Sequence, residues 1–502
     1  MIRKSFFLTL IALISLCLSY ANARTGLTVI AHGFTPGGKI SSEWTNFAKA
    51  IRKRAGKGSI FINDTQTGLW TPLDAENTNN PNDEVILVYD WAWASDNLKE
   101  GYLEACADHL FAILMAPPKE LNLTDSKALL QRPKHFIGHS RGAILLTQVA
   151  HRLGYFFNNT ISIDQMTLLD PHPAAPMGDC QLPGIVGTCP PPKNYAPQTL
   201  QIHLPQNVFR VDNYYRQDGV YEDVITDKVF GPYDGIPVMG ITYNKVLNNE
   251  TLTKGSTKMG GAHASIGTRW YYGTIDFENT FAHPINEEWY AQDSQYPAMG
   301  PKEKTGFYNS RLGGGPLPPL VPNTAKIKPM APFNLIYNGL FDIERDLWKG
   351  NIPGWEKNGA GGGGNLQRDK SGNSALRLER SKINLRLNQD KQDFSRNHSI
   401  HYLPENFAGK DYYISLKYRV VNDVEGSNQL EVSFDQIDRQ GNRTNVIIGQ
   451  NITLDNSMTT WKEARLEVPR SIKGSVGSLR LTLLGDKNNR IVEIDEIRIL
   501  AK

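Results

Sequence analysis

The sequence predicts a mostly parallel α/β domain followed, after a linker, by an all-β sandwich. Three observations carry this. The stretch from Lys134 to Gly154, KHFIGHSRGAILLTQVAHRLG, joins a short apolar run to Gly138-His139-Ser140-Arg141-Gly142 and then to apolar residues at helical spacing. Val85 to Trp91 is a near-continuous apolar run, as in a strand buried on both faces of a parallel sheet. Beyond the Gly/Pro-rich stretch that begins at Gly313, the pattern changes to short alternating strands bounded by turn residues. A chain of 502 residues also exceeds what one hydrophobic core usually organises.

The chain opens on a basic Met1-Ile2-Arg3-Lys4 and a largely apolar Ser5 to Tyr20. Ala21-Asn22-Ala23 then reads as a cleavage site, so residues 1–23 are predicted to be a signal peptide and the protein secreted or periplasmic. The apolar run is short for a bilayer span, and Leu16 before Cys17 argues against a lipoprotein. Cleavage removes Cys17. Cys180 and Cys189 flank a short Pro/Gly-rich loop and are predicted to form a local disulfide, whereas Cys106 is predicted to be a buried free thiol. The net charge of +3 carries no basic stripe, so a nucleic-acid partner is not expected. Nothing has zinc-ligand spacing, and no metal or organic cofactor is predicted.

Residues 24–310 are read as the first domain. Leu27 to Ala31 is a strand that opens into His32-Gly33-Phe34-Thr35. Trp44 to Arg54 reads as an amphipathic helix, Ser59 to Asn63 as a second strand, and Val85 to Trp91 as a third. Asp90, at the end of that strand, is assigned a structural role in the turn. Leu103 to Met115 makes the next helix, and the β-α-β-α order points to parallel pairing. Ser140 then sits on a turn whose two glycines occupy positions that side chains would obstruct. Downstream, two strands end in an acid: Met166 to Asp170, and Val208 to Asp212. His263 lies in a small-residue loop and is the best-placed base. His283 precedes a proline, and His203 falls before Asp212 and would break the order of a triad using that acid.

These motifs resemble those of α/β-hydrolases, specifically serine lipases and esterases of the pancreatic type, in outline over Leu27 to Ile275. The resemblance implies a nucleophile elbow at Ser140, a triad of Ser140, Asp170 and His263, and backbone oxyanion donors at Phe34 and Arg141. The Leu-Asp-Pro at Leu169-Asp170-Pro171 favours Asp170 over Asp212 as the acid. The implied chemistry is acyl transfer on an ester through an acyl-enzyme, without a cofactor. The chain departs from the family pattern at Pro173–Leu200 and Asn213–Lys258, either of which could shape the substrate site.

Residues 311–332 read as a semi-rigid Gly/Pro-rich linker and 333–502 as the β-sandwich. The closing run Ile491 to Ile499 alternates but changes phase at Asp495-Glu496, as at a bulge. Asn338-Gly339-Leu340-Phe341-Asp342, Gly354-Trp355 and the closing Ile-Asp-Glu-Ile resemble galactose-binding-like jelly rolls found as carbohydrate-binding modules. That resemblance implies a polysaccharide partner with Trp348, Trp355 and Trp461 as stacking candidates, each otherwise a core aromatic, and Asp495 as a calcium-ligand candidate. The expected function is a secreted ester hydrolase. The alternatives are a carbohydrate esterase targeted by its sandwich, and a catalytically silent binding protein on a hydrolase scaffold.

Overall fold

The computed structural model describes residues 25–330 except 36–39, 64–69, 96–101, 124–127, 174–178, 188–199, 217–234, 248–260 and 291–299. It further describes 356–358, 363–368, 374–379, 385–388, 401–403, 405, 410–421, 428–437, 442–455, 457–485 and 491–502. The predicted signal peptide, Cys189, Trp348 and Trp355 lie outside the described residues. So do Asn338 to Asp342.

The first domain is built from β1 (Leu27–Ala31), α1 (Ser42–Ala55), β2 (Gly58–Asn63), β3 (Trp70–Pro72) and β4 (Glu84–Tyr89). Then come α2 (Ala92–Ser95), α3 (Tyr102–Met115), β5 (Lys134–His139), α4 (Arg141–Phe156) and β6 (Ile163–Leu169). They are followed by β7 (Ile185–Val186), β8 (Gln201–Ile202), β9 (Leu204–Pro205), β10 (Val208–Tyr215), β11 (Asn244–Val246), α5 (Gly261–Ser265) and β12 (Lys326–Ile327). Eight of these strands form one mixed sheet in the order β11-β10-β6-β5-β1-β4-β2-β3. Its pairs are parallel except at the edge, where β3 runs antiparallel to β2. The central strands β1 and β4 are buried at every position, because helices cover both faces. Val29, Leu87 and Phe136 point to one side with Leu110 of α3 and Leu145 of α4. Ile30, Ile86 and Ile137 point to the other with Trp44, Phe47 and Ile51 of α1. Each such buried side chain contributes about 1.5–3 kcal/mol. Parallel strands place all their C-terminal ends along one rim, and that rim carries the site.

Residues 311–330 differ from the linker reading. Leu320 bridges Arg210, the Val321 N–H donates to the Phe209 carbonyl at 2.8 Å, and β12 pairs with β9. The Met330 N–H donates to His151 Nδ1 at 3.2 Å. The physical reason is an exposed edge: a proline-rich extended segment with few donors can lie along a strand that would otherwise be left open.

The C-terminal region holds β13 (Glu356–Asn358), β14 (Gly363–Arg368), β15 (Ser374–Glu379), β16 (Leu385–Asn388), β17 (His401–Leu403) and β18 (Tyr412–Val420). It continues with β19 (Asn428–Ile437), β20 (Arg443–Ile447), β21 (Ile452–Leu454), β22 (Lys462–Glu467), β23 (Ser475–Gly485) and β24 (Ile491–Ala501). A seven-stranded sheet ordered β13-β16-β23-β19-β20, with β17 on β23 and β21 on β19, accompanies a five-stranded sheet, β14-β15-β24-β18-β22. Ser415 pairs with Arg498 and Lys417 with Asp495, so Glu496 and Ile497 together oppose Leu416. This is the bulge that the change of phase predicts. Glu496 takes φ 48°, and burial shifts from Val492 and Ile494 to Ile497 and Ile499. The ring of Tyr402 on β17 meets Phe111 of α3 edge-on at 5.4 Å between centroids.

Candidate active site

Ser140 follows β5 and precedes α4, with φ 55° and ψ −130°, a left-handed conformation costly for a non-glycine residue. Its N–H donates to the Leu169 carbonyl at 2.9 Å, which ties the turn to the end of β6. The flanking glycines are steric requirements. A Cβ on Gly138 would lie 2.5 Å from Ala143 Cα, and one on Gly142 would lie 2.2 Å from the His32 carbonyl oxygen. A Cβ on Gly33 would lie 3.0 Å from Ser140 Oγ, so the loop after β1 rests directly on the serine. That loop, which carries Phe34, is fixed by Trp91 Nε1–H donating to the His32 carbonyl at 2.8 Å and by the Thr35 N–H donating to Ser95 Oγ at 2.9 Å. Asp90 accepts the Ala92 N–H at 3.0 Å and so starts α2, a structural task.

Asp170 directly follows β6, is fully buried, and takes φ 46°. His263 Nδ1–H donates to its Oδ2 at 2.6 Å. The Arg216 N–H donates to Oδ1 at 2.9 Å, and Arg216 Nε–H donates to Oδ2 at 3.2 Å. Burial pushes this carboxyl up, but the His263 hydrogen bond, the Arg216 guanidinium and the Arg216 N–H outweigh it and hold it at about 2. An ionised carboxylate can only accept, so the Nδ1 of His263 carries a proton and Nε2 is the ring nitrogen left to face the serine chemistry. His139 adds a second tether. Its Nε2–H donates to the His263 carbonyl at 2.9 Å, with the two rings 4.7 Å apart. Burial, reinforced by His263, pushes the His139 ring down to about 3 and keeps it neutral.

The predicted rival, Asp212, is placed differently. The strand does not end there: β10 continues to Tyr215, and Asp212 pairs with Thr167 within the sheet. Gln165 Nε2 donates to its Oδ1 at 2.8 Å and Thr167 Oγ1 at 2.9 Å, while Oδ2 has no hydrogen-bond partner among the described residues. Burial outweighs those bonds and pushes its carboxyl up to about 7. His283 stacks on Tyr272 at 3.7 Å and donates from Nδ1 to the Thr268 carbonyl at 2.8 Å. His203 lies beside β8, with its N–H on the Gly184 carbonyl at 2.6 Å.

The Arg141 backbone begins α4 immediately after Ser140, and its buried side chain turns away to Asp179. Nε and Nη2 donate to the two Asp179 oxygens at 2.6 and 3.0 Å. Asp179 adjoins Cys180, which is disulfide-bonded, so the Arg141 pair ties Asp179 and that cysteine to the start of α4. Cys106 is free and buried, and burial pushes its thiol up to about 12. Asp495 accepts the Glu496 N–H at 2.7 Å and so caps the bulge, the local role its carboxylate has here. Among the described residues no group of three or more His, Cys, Asp or Glu side chains could hold a metal ion. Trp461 is covered by Arg419, whose guanidinium carbon lies 4.7 Å from the ring centre.

Sequence reasoning missed Arg216, Asp179, His139 and His172, the last with its ring 6.2 Å from that of His263. His139 lies inside the Gly138–Gly142 motif, but as one of its variable positions, and the others belong to no motif. Their pairing depends on strands and loops far apart in the chain.

No protein-family model matches this chain, and neither does any curated protein. Solved structures similar to it include β-sandwich carbohydrate-binding modules. TmCBM61 in complex with β-1,4-galactotriose is 12% identical with a TM-score of 0.22, over 34% of this chain and 99% of that one. The CBM22-1 xylan-binding domain of Paenibacillus barcinonensis Xyn10C is 14% identical with a TM-score of 0.21, over 30% and 85%. CBM28, specific for non-crystalline cellulose, is 15% identical with a TM-score of 0.23, over 31% and 91%. Likenesses at these scores do not bear on what this chain does.

Proposed function

We propose that this protein is an exported serine hydrolase of carboxylic esters, with an α/β-hydrolase first domain. The observation that carries the reading is the 2.6 Å bond from His263 Nδ1 to the buried Asp170, beside a serine held at φ 55°. Ser140 Oγ attacks the ester carbonyl carbon while His263 Nε2 takes its proton. The backbone N–H groups of Phe34 and Arg141 receive the oxyanion. The proton passes to the departing alcohol, leaving an acyl-serine. Water then attacks the acyl carbon, giving its proton to His263, and the acid leaves as Ser140 is restored. Export is supported by the disulfide at Cys180, which suits an oxidising compartment.

A second reading makes the ester an acylated carbohydrate, held by the C-terminal sandwich. It is supported by a polar row on the outer side of the seven-stranded sheet. There Asn445 Nδ2 donates to Ser433 Oγ at 3.0 Å and to Asp435 at 2.6 Å, and Arg480 pairs with the same aspartate.

The test is covalent labelling of the mature protein by a fluorophosphonate. Wild type forms one adduct and hydrolyses p-nitrophenyl esters, and Ser140→Ala does neither. A folded wild type that stays unlabelled sinks the hydrolase reading. Retention of the full chain on immobilised xylan or galactan, without labelling, favours the silent binding protein. Retention with labelling favours the carbohydrate ester.

A further inference from the structure

Arg216 directly follows β10, is fully buried, and reaches the acid of the site. It engages both oxygens of Asp170, Oδ1 through its backbone N–H at 2.9 Å and Oδ2 through Nε–H at 3.2 Å. Oδ2 is also the oxygen that accepts from His263, so the guanidinium and the imidazole share one acceptor atom. The surroundings leave that carboxylate little freedom. A Cβ on Gly235 would lie 2.2 Å from Oδ1, the Ile236 N–H donates to the Pro171 carbonyl at 2.9 Å, and the Asp170 N–H donates to the Tyr214 carbonyl at 2.7 Å.

We infer that Arg216 is a positioning residue of the proposed acyl transfer: it fixes the Asp170 carboxylate as the charged, correctly turned partner of His263. This rests on the serine hydrolase reading. The physical need is plain. A carboxylate taken wholly out of water reverts to the neutral acid unless a cation and donors compensate it. As an acid it would no longer be a pure acceptor, and His263 would lose the bond that selects its tautomer. The guanidinium supplies a charge that persists at every working pH and a planar donor that sets the carboxylate plane. Among the described residues, the charged and titratable groups around the pair come from four elements. Asp170 meets Arg216 from the end of β10 and His263 from α5. His263 in turn has the His139 ring at 4.7 Å from the end of β5 and the His172 ring at 6.2 Å from the loop after β6. Among these described groups Arg216 is the permanent cation.

The test compares the pH profile of kcat/KM for wild type, Arg216→Lys and Arg216→Met, each checked for folding by circular dichroism. Removing the charge shifts the acid limb of Arg216→Met upward by about one pH unit, because a guanidinium beside the hydrogen-bonded Asp170–His263 couple opposes proton uptake by the couple as a whole. Arg216→Lys keeps the charge but loses the planar donor, so its limb stays near wild type while kcat falls. An Arg216→Met limb that coincides with wild type, under a uniform loss of rate, overturns the inference. Titration of Asp170 followed by carboxyl 13C NMR, assigned with Asp170→Asn, needs no turnover. If fluorophosphonate labelling fails but that carboxyl still titrates higher in Arg216→Met, the hydrolase reading falls and the charge-holding role of Arg216 stands. A carboxyl that does not move removes the role itself.

Discussion

Two neighbouring strands of one sheet each present an aspartate, and the two carboxyls behave in opposite ways. Asp170 sits one residue past the end of β6, where the chain turns at φ 46° and a guanidinium, a backbone N–H and an imidazole converge on it. Asp212 sits inside β10, hydrogen-bonded by neutral side chains of β6. Both are wholly buried. Burial alone therefore does not decide the charge. The charged donors around Asp170 bring it down to about 2, and the neutral donors around Asp212 leave burial in command at about 7. One strand stops a residue before its aspartate and the other three residues after, and that offset separates a carboxylate on the rim from an acid in the sheet.

The comparison can be broken most directly by exchanging each acid for its amide. Asp170→Asn should lower kcat for ester hydrolysis by roughly ten-thousandfold, because the amide can donate and so stabilises the wrong tautomer of His263. Asp212→Asn should stay within about twofold of wild type by the same assay, since its partners are Gln165 and Thr167. Equal losses in the two variants would dissolve the distinction.

Stability against pH sharpens it next. The lowered carboxyl of Asp170 contributes stability above about pH 4, the unfolded value, and loses it as pH falls toward about 2. The raised carboxyl of Asp212 acts with the opposite sign, because the folded state holds a proton that the unfolded chain releases. Its stabilisation is complete below about pH 4 and lost as pH rises through about 7. In urea titrations between pH 4 and pH 8, Asp212→Asn should flatten the decline seen in wild type. A decline of unchanged slope would place its origin elsewhere. The smallest effect belongs to Thr167→Val, which removes one donor from Asp212. It should cost about 1–2 kcal/mol and lower Tm by a few degrees without altering kcat.

Much of this arrangement was legible residue by residue. Gly138, Ser140 and Gly142 mark a strand-turn-helix whose backbone depends on a handful of consecutive residues. The change of phase at Asp495-Glu496 announces the bulge in β24 for the same reason. Asp170 and His263 were legible as candidates through their neighbours in sequence. The end of β10 was not: an aspartate after an apolar run reads as a strand terminus, and only pairing with β6 and β11 carries the strand on to Tyr215. Residues 311–332 read as a Gly/Pro-rich linker, and composition says nothing about an edge waiting to be covered.

What the sequence determined by itself is local geometry: the strained turn at Ser140, the periods of helix and strand, and the phase of the sandwich core. Only the tertiary structure decided which charges meet. Arg216 reaches Asp170 across 46 positions and Arg141 reaches Asp179 across 38, contacts that exist because the sheet order brings those segments together. Steric limits on φ and ψ act between adjacent residues and can be read along the chain. The electrostatics of a buried carboxylate depends on whatever surrounds it in space, and folding alone supplies those surroundings.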